Sequence, residues 1–287
     1  MLLGTHIKSR GRLRECLDHA ESLGVSAVQI STRSATRWFT EPLEPDDVRA
    51  FRRKSSSFDP DHLFSLCSPL INLAAKDDAI HQRSLDALYD ELMRAEALGI
   101  AWVVVKLGNH GGKGEEWGLS RIIGGLNSVL DRTKSFRAGV LLESSAGEEH
   151  ALGYRLEHLA KVRRRMNNSK RVAVCLDINR LFGAGYDMRD MHSYSCMMAD
   201  LIRVIGLRQV KAIHVADSLF PLGNHRGAAT HIGQGEIGSD AFAFLVNDPR
   251  LDDIPLILET PKGPHGEEDI RNLNRLSSLL GTVTVNA

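Results

Sequence analysis

Short apolar runs alternate with longer amphipathic stretches along the whole chain. The runs at 2–7, 26–30, 62–67, 101–105, 138–142, 171–176, 210–215 and 254–258 predict β-strands, several of them too uniformly apolar to have a solvated face. The stretches between them carry apolar residues at helical spacing, such as Leu13, Cys16, Leu17 and Ala20 within 11–23, and Leu85, Leu88, Leu92 and Ala95 within 77–98. Further helices are predicted at 46–58 (after Pro42 and Pro45), 119–134, 155–167, 188–204, 239–246 and 268–280, and Gly99 stops the helix at 77–98. Strand alternating with helix requires parallel strands and right-handed crossovers. Eight such units predict an α/β fold: one domain over 1–287, a closed (β/α)8 TIM barrel. An open doubly wound sheet would need a glycine-rich dinucleotide fingerprint after its first strand, where the chain reads Gly4-Thr5-His6-Ile7-Lys8.

Chemistry in such a barrel sits at the carboxyl ends of the strands. Five successive predicted strands end at or beside an ionisable residue: Lys106, Glu143, Asp177, His214 and Glu259. A single carboxylate at a strand end is ordinarily solvated or ion-paired. Three converging on one rim repel, and a cation must compensate. Two glutamates, an aspartate and an imidazole suit one divalent ion, Mn²⁺, Zn²⁺, Mg²⁺ or Co²⁺, with Lys106 as the rival source of positive charge. His6 ends the first strand and is a candidate for the same rim, or a rim histidine making one hydrogen bond. His110 lies in the loop Gly108-Asn109-His110-Gly111-Gly112, which lacks the P-loop pattern. Arg33, Arg37 and Trp38 follow the second strand on the active face, where they would either grip a phosphate and stack on a base or sugar, or form a packed loop. The basic run Lys161, Arg163, Arg164, Arg165, Lys170, Arg171 is expected to be a solvated face away from the site.

The charges cancel, 36 Lys+Arg against 36 Asp+Glu, which excludes a strongly basic nucleic-acid coat but not a local basic patch. Collagen-like, disordered and disulfide-miniprotein classes are excluded by a composition 43% hydrophobic and 25% charged. No apolar run approaches the ~20 residues of a membrane helix. Charged residues at His6, Lys8 and Arg10 interrupt any signal-peptide core. Cys16, Cys67, Cys175 and Cys196 show no CxxC spacing, so reduced thiols and a cytoplasmic location are expected.

Longer motifs run through the same positions: Leu70-Ile71-Asn72-Leu73, Leu142-Glu143-Ser144-Ser145-Ala146-Gly147, Cys175-Leu176-Asp177 and Phe182-Gly183-Ala184-Gly185-Tyr186-Asp187. Ile232-Gly233-Gln234-Gly235-Glu236-Ile237-Gly238 and Pro255-Leu256-Ile257-Leu258-Glu259-Thr260-Pro261 complete them. With these the chain resembles the endonuclease IV family of abasic-site endonucleases over nearly its whole length. The resemblance implies a TIM barrel of the xylose isomerase-like type, three active-site zinc ions and hydrolysis of the phosphodiester beside an abasic sugar. It implies metal-ligand roles for Glu143, Asp177, His214 and Glu259, which belong to one metal position. The histidines of a second position fall at Leu66 and Lys106. The third position's histidine falls at Arg180, and its Asp-x-His pair falls near Gly227 and Ala229, with His225 or His231 as out-of-register substitutes. Pro69 stands where the family has an aromatic that enters DNA. Leu66 cannot ligate a metal, and cationic Lys106 and Arg180 would oppose one.

The remaining quartet also resembles the single-metal site of xylose isomerase-like epimerases, in which two glutamates move protons at carbon. Sequence alone therefore favours a single-metal isomerase or epimerase acting on a small sugar-like or hydroxy-carbonyl substrate. Glu143 and Glu259 would transfer protons, Lys106 and Arg180 would polarise or anchor the substrate, and His6, Arg37, Trp38, His110 and His231 would contact it. Two alternatives stay open: an abasic-site DNA endonuclease with a reduced metal set, and a non-catalytic DNA-lesion binder. Specificity is expected to reside in the loops 109–113 and 223–230.

Overall fold

The computed structural model describes residues 1–9, 11–263 and 266–285, so Arg10 lies outside the described residues. Eight parallel strands close into a barrel: β1 (Leu3–Ile7), β2 (Ala27–Ile30), β3 (Leu63–Leu66), β4 (Trp102–Lys106), β5 (Gly139–Glu143), β6 (Val172–Asp177), β7 (Val210–Val215) and β10 (Leu256–Leu258). β1 pairs with both β2 and β10, so the sheet has no edge. Outside the barrel lie α1 (Leu13–Ser22), α2 (Pro45–Ser55), α3 (Asp78–Leu98), α4 (Glu115–Arg132), α5 (Leu156–Arg164), α7 (Met191–Val204), α8 (Ser239–Val246) and α9 (Glu267–Ser278). All eight predicted strand–helix units are present.

The differences are local and have local causes. Asp190 caps α7 by accepting from Ser193 N, so that helix starts later than its apolar periodicity. α4 starts earlier than predicted, at Glu115 after Gly114 (φ 95°), because its first turn is acidic and gave no apolar signal. Two features were not predicted. α6 (Ile178–Gly183) follows β6 directly, capped by Asp177. The short strands β8 (Asp217–Ser218) and β9 (Ala229–Thr230) pair antiparallel in the loop after β7. Of the basic run, Arg164, Arg165 and Lys170 are exposed as expected, and Arg171 is the buried exception. Arg163 and Arg164 donate to the Val172 and Val204 carbonyls, and Arg171 is buried, with its guanidinium on the Thr133 and Ala138 carbonyls.

The hydrophobic interior has two parts. A large shell fills the space between strands and helices. Inside the barrel, Ala27, Phe64, Val104, Leu141, Ala173, Cys175, Ala212 and Ile257 pack together, with Leu66 and Trp102 at its margins. Gly4 contributes the first strand's share, since a Cβ there would meet the Ala27 carbonyl oxygen at 2.5 Å. Phe64 is fully buried and the only aromatic among those eight residues. Phe64→Ala is expected to cost about 3–5 kcal/mol, read as a lower urea midpoint with an unchanged denaturant slope.

α3 also carries a buried carboxylate. Glu91 accepts from Thr32 Oγ1 (2.8 Å) and Ser68 N (3.4 Å), tying the loops after β2 and β3 to the helix. Burial pushes its pKa from 4.5 up to about 7. The folded state then holds a proton that the unfolded state has released. This contribution to stability is complete below pH 4.5 and is lost as pH rises through about 7. Glu91→Gln is expected to remove a pH-dependent loss of about 3 kcal/mol over that window, measured by denaturation at a series of pH values.

Candidate functional site

Side chains alternate in and out along each strand, so the residue two places beyond an inward core residue faces inward one layer higher. Gly4, Ala27, Phe64, Val104, Leu141, Cys175, Ala212 and Ile257 form the lower layer. Two places on stand His6, Gln29, Leu66, Lys106, Glu143, Asp177, His214 and Glu259. One layer of the barrel thus collects six of the predicted site residues. Leu66, Lys106, Glu143, Asp177 and Glu259 line one cavity of about 100 Å³ with Arg180, Gly227 and Ala229.

Within the ring the contacts are specific. His214 is buried, with Nδ1 3.2 Å from Glu143 Oε1 and Nε2 2.8 Å from Gln29 Oε1. The amide of Gln29 donates to Glu259 Oε1, and His6 Nδ1 lies 3.6 Å from the same oxygen. Asp177 accepts from the backbone N–H of Arg180 (3.1 Å), and the Arg180 Nε lies 3.2 Å from its second oxygen. Arg180 also pairs with Glu148 at 3.2 Å.

Burial opposes ionisation of Glu143, but Lys106, the His214 imidazole and Arg180 hold its pKa down at about 2. Burial raises Asp177 above the usual carboxylate range, more than Arg180 lowers it. Burial likewise opposes charge on His214, but neighbouring groups, Glu143 and Glu259 among them, raise it well above an ordinary imidazole. His6 is lowered by burial.

Glu143, Asp177 and His214 each offer a ligand atom within 4.8 Å of the others. Glu143 Oε2 is buried and has no hydrogen-bond donor. An orphaned anionic oxygen beside a second carboxylate and an imidazole fits a divalent cation. The expected fourth ligand, Glu259, lies outside that group of three, and its Oε1 accepts from the Gln29 amide. The donors fit one ion and not three: Leu66 has no ligand atom, Lys106 and Arg180 bring fixed charge, and Gly227 and Ala229 bring no side-chain donor.

The remaining predicted residues lie elsewhere. Arg37 is exposed, and Trp38 is half-buried against the core. Their loop is held to α3 by Arg33, which donates to the Trp38 carbonyl and pairs with Asp90 at 2.9 Å, and by Arg94, which donates to the Thr32 and Thr40 carbonyls. Of the two options for this loop, packing accounts for Arg33 and Trp38. His110 is buried and accepts from Gly114 N at 2.9 Å, in a neighbouring cavity. His231 is half-buried and contacts Asn272 of α9 at 3.1 Å. Sequence reasoning missed the role of Gln29, although a lone amide within the apolar strand Ala27-Val28-Gln29-Ile30 was an available signal.

A family model described as "Xylose isomerase-like TIM barrel" matches residues 17–277. "Probable endonuclease 4" of Chloroflexus aurantiacus is 39% identical over 277 residues, covering 96% of this chain and 97% of that protein. The crystal structure of endonuclease IV from Thermus thermophilus superposes with a TM-score of 0.87 at 31% identity, covering 99% of this chain and 100% of the other. A D-tagatose 3-epimerase-like protein has a TM-score of 0.71 at 14% identity over 99% and 98% of the two chains, a likeness of fold alone.

Gln29→Leu leaves His214 Nε2 and Glu259 Oε1 without their partner in a buried layer. It is expected to cost about 1–3 kcal/mol, whereas Arg37→Ala on the exposed loop should stay within about 0.5 kcal/mol. Urea denaturation of the metal-free chain measures both.

Proposed function

The chain belongs to the endonuclease IV group of the xylose isomerase-like TIM barrels, and on that premise we propose that it hydrolyses the DNA phosphodiester beside an abasic sugar, using one divalent ion. The observation that carries this reading is the placement of Lys106 and Arg180 in one cavity with Glu143 and Asp177. A phosphodiester is anionic and a sugar is neutral, so two fixed cations favour the former. With His214 neutral, as a metal ligand must be, four carboxylates (Glu143, Glu148, Asp177, Glu259) against Lys106 and Arg180 leave two negative charges. One divalent ion neutralises these.

Glu143, Asp177 and His214 would hold the ion, which when bound supplies Lewis acidity and an activated water. Lys106 and Arg180 bind the phosphate oxygens and oppose the charge that develops on them. Glu259, with Oε1 held by Gln29, keeps Oε2 to accept the proton of the attacking water. Leu66 shields one side of the cavity. Four free cysteines suit the reducing cytoplasm, where we place the protein. Among the described residues no helix is long and apolar enough to cross a membrane.

A second reading, proton transfer on a sugar-like hydroxy-carbonyl substrate, is favoured by one observation: Glu143 and Glu259 both stand in the inner ring near His214, Glu143 in direct contact with it. Its support beyond that is likeness of fold, whereas the endonuclease 4 relative matches along its whole length.

The test is incision of a duplex carrying one abasic-site analogue, with Mn²⁺, Zn²⁺, Mg²⁺ or Co²⁺ added singly. Incision with one metal per chain is expected, with Glu143→Ala losing the metal and Glu259→Gln losing about 10²-fold or more in rate. Salt-dependent duplex binding without incision would instead identify a lesion binder. Solvent hydrogen exchange into a hydroxy-ketone without incision would favour the second reading.

A further inference from the structure

A larger cavity, of about 580 Å³, opens beside the ring site and is lined by residues of four different loops. His110 comes from the loop after β4, His150, Tyr154 and Arg155 from that after β5, Tyr186 from the segment after α6, and His225 from the loop after β7. Glu148, next to the lining residue Gly147, pairs with Arg180 of the ring site.

The hydrogen bonds of the lining leave a donor free on His110 and on Tyr186. His110 Nδ1 accepts from Gly114 N at 2.9 Å, which places the ring proton on Nε2. The Tyr186 oxygen accepts from Leu156 N at 3.1 Å, leaving its O–H to donate. Arg155 is exposed and lies over the Tyr154 ring at 5.4 Å. The His225 Nδ1 donates to the Ala146 carbonyl at 2.8 Å, fixing the ring across the mouth. Glu115 is the carboxylate of the lining, and both its oxygens are already occupied, one by the Tyr154 hydroxyl and one by His158 Nε2 at 3.3 Å. These imidazoles do not form a metal cluster: among the described residues the ligand group is Glu143, Asp177 and His214.

The backbone marks the same place. The non-glycine residues with positive φ among the described residues are Glu149 (34°), His150 (68°) and His225 (58°). His150 and His225 line the cavity, and Glu149 adjoins it. Such conformations cost energy and persist where surrounding structure imposes them, commonly at binding sites.

We propose that this cavity is an anion site for a phosphate group, recognised by Arg155, the His110 Nε2–H and the Tyr186 hydroxyl. Two sources share that chemistry, free phosphate and a phosphate of a DNA backbone. Binding is independent of turnover, so a failure of incision leaves this assignment standing.

The experiment titrates inorganic phosphate into the full chain by calorimetry, in parallel with Arg155→Ala, Tyr186→Phe and Lys106→Met. Lys106→Met removes a phosphate-binding cation of the ring site, and in that background one phosphate per chain is expected, with affinity about tenfold lower when Arg155→Ala or Tyr186→Phe is added. Arg155 is exposed, so its variant tests the assignment without threatening the fold. Competition by an unmodified duplex would assign the phosphate to a DNA backbone, and lack of competition to the free anion; either outcome upholds the site. In the Lys106→Met background, no binding, or binding unaffected by Arg155→Ala and Tyr186→Phe, overturns it.

Discussion

Closing a parallel sheet into a barrel forces alternate side chains of every strand into an interior with room for only a few layers. That constraint organises this protein. Once Ala27, Phe64, Val104, Leu141, Cys175, Ala212 and Ile257 face inward, their neighbours two places on must form the next ring, whatever their chemistry. In this chain that ring carries carboxylates, imidazoles, an amide, a lysine and a leucine. The site is therefore the top of the core itself, and its geometry is as firm as the core beneath it.

Burying charge in such a layer is costly unless each group finds a partner. The ring solves this by pairing across strands. Gln29 supports both His214 and Glu259, Arg180 serves Asp177 and Glu148, and Lys106 stabilises the ionised form of Glu143. The one buried oxygen left over in the ring belongs to Glu143, beside Asp177 and His214. A chain with lysine, arginine and leucine in these positions has filled its barrel mouth with fixed cations and apolar volume, where its relatives' resemblance implies further ions. The consequence is a small cavity in which two fixed cations stand beside Glu143, Asp177 and Glu259.

The loops above the ring answer to different physics. The segment carrying Arg37 and Trp38 is clamped to α3 by Arg33 and Arg94, both of which bond backbone carbonyls. The loops after β4, β5 and β7 instead bend around an open cavity and hold left-handed backbone there. One loop region is rigid scaffold, and the other encloses space.

Sequence alone determined the barrel, its order of strands and helices, and six of the eight residues of the inner ring, because period-two and period-3.6 patterns are local and survive without an alignment. It also indicated that Leu66, Lys106 and Arg180 break the ligand set of the family it resembles. Only the tertiary structure decided the rest. Gln29 became a hub because three strands bring His6, His214 and Glu259 around it, and no spacing along the chain encodes that. The hydrogen bond from that amide to Glu259 Oε1 joins segments distant in sequence. Arg171 became buried, and His110, His150 and His225 came to share a cavity, through contacts between segments distant in sequence. Periodicity tells which way a side chain faces, whereas closure of the barrel determines what it meets.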